Sequence, residues 1–87
     1  MQTLKELKPG NVYNLFSHRY NVTNRVRLVS FDTTELDRDI AYFQYADRGI
    51  KPINADQLKA MFDADIYPPT FALWQWELGK GYSITEN

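Results

Sequence analysis

Apolar and polar positions alternate through most of this chain, and the period changes at a few sharply marked points. Leu4 and Leu7 lie three apart, enough for one helical turn, and Pro9-Gly10 ends it. Residues 11–16 read as a short strand. Residues 17–24 are polar and turn-prone, with Tyr20 and Val22 as their large apolar members. Residues 25–31 carry Val26, Leu28, Val29 and Phe31 with arginines alternating at the start, which predicts a strand. Residues 32–39 form an acidic loop. Residues 40–46, Ile-Ala-Tyr-Phe-Gln-Tyr-Ala, are apolar on both faces apart from Gln44, as expected of a central strand covered on both sides.

Asp47-Arg48-Gly49 fits a tight hairpin turn, and residues 50–53 are the expected partner strand, with Pro52 marking an edge. Asn54 followed by Gln57 is a capping-box signature, and Asp56 suits the first turn of a helix. Leu58, Met61 and Phe62 then give the i, i+3, i+4 stripe of a short helix over residues 55–62. Tyr67-Pro68-Pro69 imposes an extended connector.

Residues 74–78 alternate, Gly79-Lys80-Gly81 can turn, and residues 82–85 alternate again, a pattern that favours a β-hairpin. The same region also supports a helix, with Thr70 as cap, Phe71, Trp74 and Leu78 on one stripe, and Gly79 as stop. The expected core is Val26, Leu28, Tyr42, Phe43, Ile53, Leu58 and Phe62.

The resulting order is strand, long loop, strand, acidic loop, strand, tight turn, strand, short helix, strand. That order resembles the SH3-like small barrel over residues 8–78, in which a short helical segment separates the fourth and fifth strands. The fold class expected is mainly β with one short α-helix: a single domain, residues 1–87, built as an SH3-like antiparallel barrel with an additional C-terminal hairpin. The resemblance implies that the loop before the second strand and the acidic loop after it share one rim. The Ala-Leu-Tyr-Asp-Tyr run and the Trp-Trp pair of peptide-binding SH3 domains are absent, so proline-rich ligand recognition does not carry over. Fold likeness alone assigns no function.

Composition sharpens this picture. The 87 residues are 44% hydrophobic, ample for one core, and contain no cysteine, which excludes disulfides and thiolate metal sites. The lack of such staples, of an apolar leader at the N-terminus and of a long apolar run predicts a cytoplasmic, non-membrane protein. On that reading the sequon at Asn21-Val22-Thr23 is incidental. Net charge is −1, from 10 basic and 11 acidic residues, unlike the strongly basic balance of a domain that wraps nucleic acid. The charges are unevenly placed. Residues 17–28 hold His18, Arg19, Arg25 and Arg27 with no acid, whereas residues 32–39 hold Asp32, Glu35, Asp37 and Asp39 against Arg38 alone.

No catalytic constellation is expected. His18 is the single histidine, so a two-histidine metal site cannot form, and an exposed loop histidine is the plain reading. The acidic loop lacks the glycine and spacing of a calcium loop, and the glycines form no phosphate-cradling motif. Neither cofactor nor metal is therefore expected.

Two tryptophans, six tyrosines and five phenylalanines exceed what one thin core can absorb. On a continuous last strand, Trp74 and Trp76 would share a face, either closing the barrel bottom or standing exposed. Together with Tyr20, Arg25 and Arg27, these are the residue types that dominate protein interfaces. The expected function is a non-enzymatic protein-binding module. It is similar in style to small phage and bacterial accessory or inhibitor proteins that act on a larger partner. The alternative is a nucleic-acid-binding barrel, with bases stacked on Tyr20, Tyr42 or Tyr45 and phosphates on Arg19, Arg25 and Arg27.

Overall fold

Gln44 sets the architecture better than any other residue. It sits in the middle of an apolar strand, 1% exposed, and both ends of its amide are used. Its Nε2 donates to the Lys51 carbonyl at 3.1 Å, and its Oε1 accepts from the Ile53 amide at 3.2 Å. A segment is thereby tied across one face of the strand rather than alongside it. In this computed structural model, which describes residues 3–87, residues 50–53 consequently form no strand. The expected hairpin partner is corrected to an irregular crossing held by a side chain. Of the N-terminal stretch read as lacking an apolar leader, Met1 and Gln2 lie outside the described residues.

The strands are β1 (Val12–Ser17), β2 (Val22–Thr33), β3 (Asp39–Tyr45), β4 (Phe71–Trp74) and β5 (Tyr82–Glu86), with one helix, α1 (Ala55–Asp63), between β3 and β4. They form a single antiparallel sheet in the order β4-β3-β2-β1-β5. The fold is mainly β with one short helix, as the pattern predicts. The sheet is not closed into a barrel, because β4 and β5 stand at its two edges and no pairing joins them among the described residues. The C-terminal hairpin is corrected for the same reason: β4 pairs with β3 while β5 pairs with β1.

β2 is the hinge of this layout. Its residues 22–27 pair with β1 and its residues 26–33 with β3, so the two halves of the sheet meet only at its middle. A bulge interrupts the register between Leu28 and Ser30. The extra residue, Val29, changes the side-chain parity: Leu28 points to the inner face and Val29 to the outer, and both are buried. The loop before β2 is much shorter than the sequence suggested, residues 18–21 only, with Asn21 in the left-handed region at φ 53°.

Alternation gives each face its core. Tyr13, Leu15, Val26, Leu28, Ala41, Phe43, Leu73 and Ile84 fill the inner face, and Leu4 and Leu7 join them from the N-terminal 3₁₀ turn. On the outer face α1 packs over β2 and the adjoining part of β3. Leu58 is buried there, and Phe62 meets Tyr42 edge-on with ring centroids 5.6 Å apart. The capping box of α1 is formed as expected, with Asn54 and Gln57 exchanging hydrogen bonds of 2.9 Å. Within the expected core, Val26, Leu28, Phe43 and Leu58 are buried, but Tyr42, Ile53 and Phe62 are only half-buried. One short helix is too narrow to seal the outer face. Burial, and secondly the negative charge of Asp32, push the Tyr42 hydroxyl above its ordinary pKa.

Candidate functional site

The turns at the two ends of β2 are bridged through residues 80–81: the His18 amide donates to the Gly81 carbonyl at 3.0 Å, and Lys80 lines a groove with Asp37, Arg38 and Asp39. The two turns define two surfaces. At the β2–β3 end, the loop folds on itself: Thr34 and Arg38 pair their backbones at 3.0 Å, and Asp37 adopts φ 54°. Beside it, residues 70–78 prove to be neither one strand nor one helix. β4 stops at Trp74, and Gln75–Glu77 form a 3₁₀ turn.

Two side-chain hydrogen bonds, one long-range and one local, impose that turn. Gln75 Oε1 accepts from the Leu4 amide at 2.7 Å, and Glu77 Oε1 accepts from the Trp74 amide at 3.1 Å. The tryptophans are consequently split. Trp74 is half-buried opposite Ile40 on β3, whereas Trp76 is carried outward on the 3₁₀ turn and is 58% exposed. Trp76 lines a groove of about 560 Å³ with Asp37, Arg38, Asp39, Gln75 and Lys80. Leu36, 72% exposed, adjoins Asp37 in the chain and adds a second apolar side chain to this end.

The second surface is the mouth left by the unclosed sheet. Leu15, Ser17, Val22, Asn24 and Tyr82 approach it from β1, β2 and β5, and Tyr45, Phe71 and Ala72 from β3 and β4, enclosing about 450 Å³. Tyr20, from the β1–β2 turn, stands over it at 67% exposure. Phe71 is held in place by Phe43 and Tyr45, at centroid distances of 5.6 and 5.3 Å. Arginines lie on two of the rings: Arg48 is 3.9 Å from the Tyr45 centroid and Arg19 is 5.4 Å from that of Tyr20.

Arg25 and Arg27, expected to act with Tyr20, point elsewhere. Both have the opposite parity to Val26 and belong to the outer face. Arg25 binds the Asp47 carboxylate and donates from Nε to Asn87 Oδ1 at 3.1 Å. Arg27 is half-buried between Val12 and Gln44 in register. Tyr20 is thus brought together with Tyr45, Phe71 and Tyr82, not with these arginines or the tryptophans. Phe71, Tyr82 and Val22 escaped sequence reasoning because their neighbours come from distant strands. The one local signal was Arg48, three residues after Tyr45.

His18 Nε2 lies 2.6 Å from Ser83 Oγ, and its ring is 5.2 Å from that of Phe16. The contact links β5 to the β1–β2 turn on the open outer face. No family model, curated protein or solved structure matches the chain.

Proposed function

We propose that the domain is a non-catalytic protein-binding module, an accessory or inhibitory protein that sits on a larger partner through Trp76. The observation that carries this reading is the exposure of Trp76 on a 3₁₀ turn pinned at both ends, to Leu4 through Gln75 and to Trp74 through Glu77. A large aromatic group displayed on a rigid support loses little conformational freedom on binding, which is how interface anchors gain their energy. Leu36 extends the apolar contact, and Asp37, Arg38 and Lys80 supply a charged border of both signs. A mixed border selects orientation and partner without requiring a strongly charged target.

The nucleic-acid alternative has less support. Arg25 is occupied by Asp47 and Asn87, and Arg27 is half-buried, which leaves two of the three arginines poorly disposed toward phosphates. The test is comparative capture from a lysate of the producing cells, with mass spectrometry, using the protein and its Trp76→Ala variant. A specific protein retained by the first and lost by the second is the expected result. A partner held equally by both would refute the assignment.

A further inference from the structure

The mouth of the sheet contains a free strand edge as well as aromatic side chains. Residues of an antiparallel ladder alternate between those that bond the neighbouring strand and those that face away from it. The Trp74 amide donates to Glu77, so Trp74 belongs to the set facing away from β3. Ala72, two residues earlier and paired with Tyr42, belongs to the same set. Its N–H and C=O therefore point out from the edge of β4. Ala72 is exposed, and it lines the mouth groove.

The surroundings narrow down what could pair there. Val22 is 47% exposed and, with Tyr45, Phe71 and Tyr82, forms an apolar floor. Arg19 and Arg48 are exposed residues whose guanidinium groups lie over the Tyr20 and Tyr45 rings of the groove. Asp47, the acid next to Arg48 in the chain, is paired with Arg25. This end of the molecule is thus positive at the rim and apolar below, beside an unpaired backbone.

We propose that the mouth groove takes an extended acidic peptide segment, which adds a short strand to β4 at Ala72. One apolar side chain of the segment rests against Val22, Tyr45, Phe71 and Tyr82, and its flanking carboxylates meet Arg19 and Arg48. Main-chain pairing supplies the geometry and the alternate side chains the selectivity, as in other strand-addition sites. The site is separate from Trp76 and does not depend on the role given to that residue.

The experiment is an NMR titration of the ¹⁵N-labelled protein with a capped heptapeptide alternating Asp with Val and Leu. A lysine-for-aspartate counterpart and a short oligothymidylate serve as the other probes. The expected result is saturable shifts at Ala72 and its β4 neighbours, with the acidic peptide bound at least about tenfold more tightly than the basic one. Arg48→Glu, an exposed change, should reverse that preference. Ala72→Pro should remove the binding by deleting the edge N–H, and should that variant not fold, Val22→Asp tests the same floor from the surface. Trp76→Ala should leave the titration unchanged. Binding of the oligothymidylate but not of the acidic peptide would overturn the proposal, as would the absence of shifts at Ala72 with either peptide.

Discussion

Replacing Gln44 with leucine keeps the volume of a buried side chain but deletes both of its hydrogen bonds, to the Lys51 carbonyl and the Ile53 amide. Each neutral bond contributes about 0.5–1.5 kcal/mol, so the direct loss is about 1–3 kcal/mol. The two backbone groups left behind raise the cost if they stay dry, and they can avoid it only by moving the 50–53 segment out to water. Leucine also removes a polar group from a site that is 1% exposed, which returns part of the loss. A net destabilisation of about 1–3 kcal/mol follows, against a total of about 4–13 kcal/mol for a domain of this length. Urea unfolding of the two proteins measures it, with the slope unchanged if the unfolded state is unaffected. Hydrogen exchange should show faster opening of α1 than of the inner-face strands, since α1 is anchored through this crossing. A loss below about 0.5 kcal/mol, within the range of ordinary surface changes, would show that the Gln44 amide does not hold the segment.

Other expectations follow from burial and capping. Leu28→Ala, at a position 1% exposed, should cost about 2–5 kcal/mol in the same assay. Asn54→Ala should cost about 1 kcal/mol by removing the side-chain acceptor for the Gln57 amide. Tyr42 holds its proton more tightly folded than unfolded, so its contribution is complete below the ordinary tyrosine pKa near 10 and is lost as pH rises through its raised value. Stability measured across that alkaline window should fall less steeply in Tyr42→Phe than in the parent.

What the sequence made legible was local. The two-faced apolarity of β3 announced a strand covered on both sides, and Asn54 with Gln57 announced where α1 begins. The alternation around Val26 and Leu28 located the middle of the sheet. What stayed hidden depends on partners far away in the chain. β5 pairs with β1 across nearly the whole sequence, and nothing in the pattern of either strand names the other. The alternation of residues 74–78 was a false strand signal, because the Leu4 amide and the Glu77 carboxylate bend it into a 3₁₀ turn. That bend separates Trp76 from Trp74 and makes it the exposed one. The open sheet edge was equally invisible, since residues 50–53 have strand-like composition and lose that role only to the Gln44 side chain. Tyr20 was legible as a surface aromatic, but its neighbours at the mouth required the register of five strands.

The most direct test of Trp76 as the anchor is the affinity for the captured partner, measured by calorimetry at low and moderate salt for three forms of the protein. Trp76→Ala should weaken binding by about 2 kcal/mol or more, roughly 30-fold, with little change between the two salt concentrations. Arg25→Ala combined with Arg27→Ala should leave the affinity nearly intact and alter mainly the association rate. The contrary result is steeply salt-dependent binding to single-stranded nucleic acid, with full affinity retained by Trp76→Ala and with a salt slope that the arginine variant lowers by about 0.7 for each phosphate it no longer neutralises.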